Sequence, residues 1–333
     1  MKTGKLSPDI LRRLLAAARC QDARVVVGPA IGEDAAVIAV GDKLLVASTD
    51  PITFATDLIG WYAVQVNAND VAVMGARPAW FLATLLLPEG APPSLAEDIF
   101  EQTLSACREL DVCLVGGHTE ITHGLGRPLV IGTMLGEADH VVRSAGAKAG
   151  DCLILTKGVA VEGTALLARE AGKQLQARGL GGDAIERASK LLFHPGISVA
   201  KEALLACDAA SVHAMHDPTE GGLATAVHEL AEAAGLGAVI RARDIAVLPE
   251  TDLLCRALGL DPLGLLASGS LLIAAAPEDC DRVAGALNGA GVKAACIGTL
   301  FSDREVAIIN EKGGETALPR FDRDELARFL AMA

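Results

Sequence analysis

Aromatic side chains are scarce in this sequence, where only 3% of the 333 residues are Phe, Trp or Tyr. Because 51% of the residues are nevertheless apolar, small aliphatic side chains must carry the packing of a globular core. No apolar run approaches the ~20 residues of a membrane span. The start, "MKTGKLSPDILRRLL", also lacks the apolar region of a signal peptide. We therefore expect a cytoplasmic protein with no membrane partner.

Positive charge is also in short supply, because 29 Lys and Arg residues stand against 42 Asp and Glu residues and give a formal net charge of −13. Sequence-independent binding of nucleic acid depends on Lys and Arg neutralising phosphates, so we expect no nucleic-acid partner. A small anionic ligand is still compatible with an acidic chain, since backbone N–H groups and a bound metal can hold phosphates.

Closely spaced cysteines are absent as well. The eight cysteines are scattered along the chain, and no two of them form C-x-x-C. This spacing argues against a zinc site or a disulfide framework and favours a reduced protein. We expect most of these cysteines to be small buried hydrophobic residues.

The length leaves room for about two domains of roughly 100–200 residues each. In the first half, Ser94 followed by Glu97 predicts a helix that begins with a capping box. Around Lys148–Asp151 the chain turns, and the alternation of strands and helices begins again. The pattern predicts two mixed α/β domains, at 1–150 and 151–333.

A predicted β-hairpin brings two carboxylates together. The stretches "AAVIAV" and "KLLVAST" flank a two-residue turn at 41–42, which suits a hairpin. With that turn, residue 34 falls opposite residue 49, so Asp34 and Asp50 meet at the open end. Two like charges there repel each other unless a cation lies between them. The alternative is a pair of solvated acids at the strand ends.

A third carboxylate, Asp70, lies in the apolar stretch "VNANDVAVMGARP", within a helix predicted at about 58–75. Asn67 lies one turn earlier on the same helix face. Burying an unpaired carboxylate is costly. Asp70 therefore either lies on a solvent-facing side of the helix or is compensated by a partner.

Two further motifs contain residues that suit a ligand. In "VGGHTE" a strand runs into Gly116 and Gly117, which lets the backbone approach a ligand closely. In "HDPTEGGL" Asp217 as N-cap, Pro218 at the first helical position and Glu220 at the third predict a helix start. That explanation is purely structural, but a helix N-terminus also binds anions, and adjacent carboxylates can hold the accompanying metal.

Seven motifs in a fixed order resemble the superfamily of aminoimidazole ribonucleotide (AIR) synthetase, whose fold is called PurM-like. They are "GEDAAV" at 32–37, "STD" at 48–50, "NANDVAVMGARP" at 67–78, "GGHTE" at 116–120, "RSAGAKAGD" at 143–151, "HPGISV" at 194–199 and "DPTEGGLATAVHELAEAAGLG" at 217–237. The superfamily includes selenophosphate synthetase, thiamine-monophosphate kinase and the hydrogenase maturation protein HypE. The last motif, with "LGLDPLGLLASGSLLIAAAP", is most similar to the HypE-like, AIR synthase-related members.

The resemblance implies an N-terminal α/β domain that joins its hairpin strands at 35–49 into a barrel shared across a homodimer, and a C-terminal α/β domain. It implies that ATP binds with Mg²⁺ held by acids. The implied metal ligands are Asp34, Asp50, Asp70, Asp217 and Glu220, and the implied nucleotide-binding residues are Thr49, Gly116, Gly117, His118, Arg143 and Thr219. Asp70 and Asp217 are the implied catalytic residues.

Two departures from the HypE pattern bear on activity. His118 stands where HypE carries aspartate, and a neutral imidazole is a poor magnesium ligand, although Glu120 could substitute. HypE ends in the cysteine that carries the carbamoyl group it dehydrates, whereas the printed sequence ends "DELARFLAMA". We therefore expect no ATP-dependent dehydration of a carbamoylated cysteine on this chain.

The resemblance favours an enzyme that uses Mg-ATP to activate an oxygen of a small or protein-bound acceptor by phosphoryl transfer. One alternative is a non-catalytic nucleotide-binding partner in hydrogenase or metalloenzyme maturation. Another is a metabolite kinase similar to thiamine-monophosphate kinase. The sequence does not identify the acceptor.

Overall fold

The structure, a computed structural model, describes residues 6, 8–18, 21–30, 32–55 and 57–331. Helices and strands follow one another in the order α1 (Pro8–Ala17), β1 (Val25–Val27), β2 (Ala36–Val40), β3 (Lys43–Ile52), α2 (Ile59–Val73), β4 (Arg77–Pro88), α3 (Pro93–Glu109), β5 (Cys113–Thr122), β6 (Leu129–Ala138), β7 (Cys152–Thr156), α4 (Val161–Glu170), α5 (Gly172–Ala177), α6 (Gly182–Lys190), α7 (Ala200–Ala209), β8 (Val212–His216), α8 (Gly222–Ala234), β9 (Gly237–Arg241), α9 (Pro249–Leu258), β10 (Leu272–Ala275), α10 (Pro277–Gly289), β11 (Ala294–Phe301), β12 (Val306–Ile309), β13 (Glu315–Ala317) and α11 (Glu325–Leu330).

The described residues form two compact units. The N-terminal unit contains those of Cys20–Gly28 and Asp34–Val141, and the C-terminal unit contains those of Met1–Arg19, Pro29–Glu33 and Val142–Ala333. Each unit has its own mixed sheet and its own helices, which confirms the predicted α/β class. The domain boundary near residue 150 stays a prediction.

The sheet of the N-terminal unit has the strand order β1-β2-β3-β6-β4-β5. The predicted hairpin is confirmed, with Val40 paired to Lys43 across the two-residue turn. The ladder between β2 and β3 ends at Ala36 and Ala47, however, so residue 34 does not pair with residue 49. Thr49 and Asp50 pair instead with Thr133 and Gly132 of β6, because β6 accompanies β3 beyond the end of the hairpin.

The position of β3 corrects one feature of the expected dimer. β3 lies between β2 and β6 and has hydrogen-bonded neighbours on both sides, so it offers no edge to a second chain. Among the described strands of this sheet, β1 and β5 form the two edges. The hairpin can therefore not pair through β3 across a two-fold axis.

Helix α2 is buried on almost every side, since only Val66 of its residues has intermediate exposure. It packs against β3, β4 and β6 of the sheet and against α3. Its bounds, Ile59–Val73, confirm the predicted helix to within two residues. A helix that is apolar all round belongs in a core. Asp70 is only 6% exposed, so the solvent-facing alternative for this residue is wrong.

The predicted capping box of α3 is wrong. The helix begins at Pro93 with Pro92 as its N-cap, and no side chain caps it. Proline is well suited to the first helical position because its missing N–H has no partner there anyway. The helix therefore begins before Ser94 can act as the cap.

The predicted start of α8 is also wrong. The helix begins at Gly222 and not beside Asp217, which directly follows strand β8. Gly221 and Gly222 have φ values of 80° and 62°, so the backbone passes through the left-handed region before the helix starts. Residues 217–220 consequently form a loop between β8 and α8.

The sheet of the C-terminal unit has the strand order β13-β12-β9-β11-β7-β10-β8. Every residue of β7 and β10 is buried, as expected for strands covered on both faces. Among the described strands of this sheet, β12 and β9 form the one parallel pair. None of the helices in the described part of the chain combines the length and the apolar character that a bilayer span needs.

Candidate functional site

Asp70 is held by a hydrogen bond from the neighbouring sheet. Ser48 Oγ on β3 donates to Asp70 Oδ2 over 2.5 Å, and the two residues are only 7% and 6% exposed. A buried carboxylate that lacks donors is costly, so Ser48 supplies part of the compensation for Asp70. The bond also ties α2 to the strand that contains Thr49 and Asp50.

Asn67 fixes the backbone of the same strand. Its Oδ1 accepts a hydrogen bond from the Asp50 N–H at 2.8 Å, and its Nδ2 donates to the Asp50 carbonyl at 3.2 Å and to the Ala63 carbonyl at 2.8 Å. Asn67 is fully buried. Asn67 and Asp70 thus both face β3, which confirms that they share one face of the helix.

The close approach of α2 to the sheet requires a glycine on β6. A Cβ atom at Gly132 would lie only 2.4 Å from Asn67 Nδ2. Thr49 Oγ1 donates to the Gly132 carbonyl at 2.7 Å and accepts a hydrogen bond of 3.1 Å from Thr133 Oγ1. Thr49 is exposed and Asp50 is half-buried. The result is a small polar surface whose backbone is fixed from two sides.

Gly116, Gly117 and His118 lie within β5, which continues to Thr122 and does not end at the glycines. Gly117 has φ of 150°, and a Cβ atom there would lie 1.9 Å from the Ala83 carbonyl oxygen of β4. This glycine is therefore required by strand packing. β5 is separated from β3 by β6 and β4 in the sheet, so the structure does not bring His118 to Asp70 within the unit.

His118 contacts an acid on its own strand. Its Nε2 lies 3.3 Å from Glu120 Oε2, and both side chains are more than half exposed. Hydrogen bonds from the Thr122 hydroxyl and then from His118 hold the pKa of Glu120 below its ordinary value. Glu120 is consequently present as a carboxylate at the exposed edge of the sheet.

Arg143 belongs to the C-terminal unit and is oriented by Glu33 of the same unit. Its Nη2 and Nε donate hydrogen bonds of 2.9 Å and 3.1 Å to Glu33 Oε1. The Glu33 side chain is 3% exposed, whereas that of Arg143 is 45% exposed. A guanidinium has five N–H donors, so this pairing leaves donors for an anion on the exposed side.

Asp217, Thr219 and Glu220 lie on the loop between β8 and α8. The Thr219 carbonyl accepts hydrogen bonds from the N–H groups of Gly222 at 3.0 Å and of Ala267 at 3.3 Å. Asp217 is 1% exposed, and Glu220 has intermediate exposure. The loop, which carries two acids and a hydroxyl, is thus fixed by hydrogen bonds to its backbone.

Asp324 anchors the same loop from another part of the chain. Its Oδ2 accepts a hydrogen bond of 2.7 Å from the Gly221 N–H, and its Oδ1 accepts one of 2.7 Å from Leu326, as the N-cap of α11. Burial raises the pKa of Asp324 to about 6. No local sequence pattern points to Asp324, because its partner Gly221 lies in a distant segment.

Glu162 is a further acid that the sequence analysis did not identify. It lies in the first turn of α4 and is 6% exposed. Burial raises its pKa to about 8, with smaller contributions from the charges of Glu220, Asp324 and Asp217, against the lowering effect of a Ser268 hydrogen bond. These four acids therefore form a cluster, termed here the C-terminal acid cluster, in which negative charges disfavour one another.

The arrangement offers oxygen ligands in both units. Carboxylates, hydroxyls and backbone carbonyls are the ligands that Mg²⁺ prefers, and the acids that disfavour each other's charge would be stabilised by a cation. Of the predicted residues, the N-terminal unit contains Asp34, Thr49, Asp50, Asp70, Gly116, Gly117 and His118, and the C-terminal unit contains Arg143, Asp217, Thr219 and Glu220. Their predicted roles stay predictions.

Comparisons with known proteins agree on the family. The description "AIR synthase related protein, N-terminal domain" matches residues 32–138, and "AIR synthase related protein, C-terminal domain" matches residues 148–310. The carbamoyl dehydratase HypE of Cupriavidus necator is 31% identical over 284 residues, which cover 82% of this chain and 78% of that protein. The HypE of Escherichia coli is 29% identical over 294 residues, with coverage of 85% and 84%.

Solved structures show the same fold. The crystal structure of a HypE–HypF complex matches with a TM-score of 0.77 and 20% identity, over 94% of this chain and 99% of that chain. HypE in complex with ATP matches with a TM-score of 0.72 and 22% identity, over 98% of both chains. At these identities the likeness concerns the fold alone.

Proposed function

The chain belongs to the HypE group of the AIR synthase related family, and we propose that it is an enzyme of HypE type that binds Mg-ATP and activates an oxygen of a small or protein-bound acceptor by phosphoryl transfer. The observation that carries the proposal is the buried carboxylate of Asp70, held by Ser48 at 2.5 Å beside Thr49 and Asp50. A relative named carbamoyl dehydratase and a HypE structure solved with ATP support it.

The donor atoms of both units fit magnesium. In the N-terminal unit the candidate ligands are Asp34, Asp50 and Asp70, and in the C-terminal unit they are Asp217 and Glu220. The proximity of Glu220, Asp324 and Asp217 to Glu162 in the C-terminal acid cluster supports a cation there, because a positive charge would relieve the repulsion among these acids. A bound Mg²⁺ supplies charge neutralisation at the transferring phosphoryl group.

The protein's own groups would mainly position the reactants. Thr219 can donate a hydroxyl hydrogen bond to a phosphate oxygen, and Thr49 can do so when its O–H turns away from the Gly132 carbonyl, to which it donates at 2.7 Å. Arg143 can donate from its exposed edge while Glu33 holds its orientation. An acceptor oxygen attacks the γ-phosphorus, and ADP leaves. Direct phosphoryl transfer requires little covalent chemistry from the protein, and its rate depends on the positioning of the reactants and on electrostatic stabilisation.

A non-catalytic nucleotide-binding partner is the second candidate function. The position of His118 favours this alternative. Its side chain is exposed on an edge strand, and the one polar contact described for it is with Glu120. The solved complex of HypE with HypF supports a protein partner for this chain. In this alternative ATP would bind but would not turn over.

We also infer a homodimer that forms through β5. Val115 and Ile121 on this edge strand are 51% and 59% exposed, and Phe100 of α3 beside it is 54% exposed. A cavity of about 430 Å³ lies between α3 and the sheet and is lined by residues of both. An exposed apolar edge strand invites pairing with another chain.

Light scattering at micromolar concentration tests the dimer. The wild type should have the mass of two chains, and the double variant Val115→Lys, Ile121→Lys should have the mass of one, because charges on the edge oppose pairing. Leu253→Lys, at a position that is 42% exposed in the C-terminal unit, is the matched control and should stay dimeric. A stable wild-type monomer would remove the inference.

Turnover of ATP against a panel of candidate acceptors tests the function. We expect Mg-dependent formation of ADP that one acceptor class accelerates, and slow turnover without an acceptor. The panel should include small hydroxyl and carboxamide compounds and a carbamoylated peptide. ATP binding without turnover for any acceptor would favour the non-catalytic partner.

A further inference from the structure

Three cysteines that are far apart in the sequence meet in the C-terminal unit. Cys152 is the first residue of β7, Cys280 lies in the first turn of α10, and Cys296 lies in β11. Their three sulfur atoms all lie within 4.8 Å of one another. Local spacing in the sequence gave no sign of this group, because the fold brings the three cysteines together.

The strand register explains the convergence. Antiparallel pairing sets Cys296 opposite Ile154, two residues from Cys152, so both cysteines lie on one face of the sheet. A β-bulge between Cys296 and Gly298 shifts the register at this point. Helix α10 packs against β7 and β11 and brings Cys280 to the same place. The three sulfurs are thus positioned by rigid elements.

The spacing of the sulfurs suits one metal ion. Around a zinc ion with Zn–S bonds of about 2.3 Å, two sulfurs of a tetrahedral site lie roughly 3.8 Å apart. The observed upper limit of 4.8 Å is close to that separation, so small side-chain movements suffice. Cys152 and Cys280 are buried and Cys296 is half-buried, which leaves one side of the cluster open.

The charges around the cluster also suit a cation. Arg241 Nη2 donates to the Cys296 carbonyl at 3.0 Å and lies 3.7 Å from Cys296 Sγ, while Asp244 pairs with the same guanidinium. Three thiolates with a divalent ion keep one net negative charge, which an N–H donor at one sulfur can stabilise.

We propose that Cys152, Cys280 and Cys296 bind one thiophilic divalent cation of the zinc class, and that an exogenous ligand or water completes its coordination. Three sulfurs within 4.8 Å of one another favour a metal over a disulfide, because a disulfide would join two of them and leave the third outside the bond. The three thiols lose their protons on binding. Mg²⁺ prefers oxygen ligands, so this site is chemically separate from the proposed nucleotide site.

Metal titration of the tag-free, reduced, full-length protein tests this proposal. After removal of bound metal, Co²⁺ should give sulfur-to-cobalt charge-transfer absorption that saturates at one ion per chain, and Zn²⁺ should displace the Co²⁺. Elemental analysis after gel filtration should find one zinc per chain. Because the ion joins β7, β11 and α10, zinc should also raise the unfolding temperature.

Single variants assign the ligands. Loss of a residue that only hydrogen-bonds to a metal ligand typically weakens metal affinity by roughly 10–100-fold. Loss of a ligand itself should weaken Co²⁺ binding by more than this in each of the variants Cys152→Ser, Cys280→Ser and Cys296→Ser. Cys207→Ser is the matched control, a half-buried cysteine of the same unit outside the cluster, and should bind as the wild type does. Metal-free unfolding curves establish that each variant is folded.

Three results would overturn the proposal. The first is a wild type without sulfur-to-cobalt absorption. The second is undiminished binding by the folded Cys280→Ser variant. The third is an intramolecular disulfide within the cluster in protein isolated without added oxidant, detected by its mass. None of these measurements depends on ATP, so their failure leaves the proposed phosphoryl transfer unaffected.

Discussion

In the N-terminal unit the buried carboxylate of Asp70 has a hydrogen-bond donor, Ser48, on the adjacent strand. In the C-terminal unit Glu162 also has a donor, Ser268, but it lies near three further acids, Glu220, Asp324 and Asp217. Both side chains are 6% exposed, so the two sites differ mainly in the charges of their neighbours. At Glu162 burial first, and the acidic neighbours after it, raise the pKa of the carboxyl.

The comparison separates two ways in which a fold prepares acids for a cation. The cost of burying the Asp70 carboxylate is offset in part by the hydrogen bond from Ser48, and a cation would add a second interaction to it. Glu162, with a pKa raised to about 8, is largely protonated at neutral pH and would ionise as a cation binds. Substitutions of Asp70, Ser48 and Glu162 each remove one side of this contrast.

The largest expected effect is on turnover. Asp70→Asn keeps the size of the side chain and its ability to accept from Ser48 but removes the charge. Turnover of Mg-ATP should fall by roughly 10²-fold or more, as the loss of one key electrostatic contact typically produces. Steady-state ADP formation measures the effect, with Asp98→Asn, an exposed acid of α3, as the matched control. Equal turnover in Asp70→Asn and wild type would show that the charge of Asp70 does not act in the reaction.

A smaller effect is expected on stability in the N-terminal unit. Ser48→Ala removes the hydroxyl that donates to the buried Asp70 carboxylate at 2.5 Å. The free energy of unfolding measured in EDTA should therefore fall by about 1–3 kcal/mol. Ser94→Ala, at an exposed helix position without a capping bond, should change stability by no more than about 0.5 kcal/mol. Chemical denaturation measures both. An unchanged free energy of unfolding in Ser48→Ala would show that Ser48 does not stabilise the buried Asp70 carboxylate, and the contrast with Glu162 would be lost.

The smallest effect is expected from Glu162→Gln at neutral pH, since glutamine resembles the protonated acid. The pH dependence should differ more. Between about 4.5, the ordinary value, and about 8 the unfolded chain releases the Glu162 proton while the folded chain keeps it, so stability falls as pH rises. In EDTA, the free energy of unfolding of Glu162→Gln should lack this decrease between about pH 4.5 and 8. An unchanged slope would show that Glu162 does not titrate as the cluster requires.

Local patterns in the sequence predicted those features that depend on neighbours along the chain. The two-residue turn at 41–42 fixed the pairing of Val40 with Lys43, and the apolar run around Asp70 gave the bounds of α2 to within two residues. The Asp217 cap was wrong even though "DPTE" satisfies the capping pattern. The left-handed turn at the two glycines that follow moves the helix start beyond it.

Features that depend on distant segments were not visible in the sequence. Glu162 is an acid-cluster residue because Asp217, Glu220 and Asp324 come to it in the folded chain. The three cysteines of the proposed metal site likewise lie on two strands and a helix, and no local spacing joins them.

The most direct test of the central claim is ATP binding by the wild type with Mg²⁺ and with EDTA, followed by thermal unfolding and calorimetry. With Mg²⁺ and ATP at 100 times its dissociation constant, the folded state should gain about 2.7 kcal/mol. With EDTA the nucleotide should produce no stabilisation and no heat of binding, because the candidate carboxylates would repel the phosphates when no cation is present. Equal stabilisation by ATP in EDTA would contradict a carboxylate-held metal as the basis of nucleotide binding.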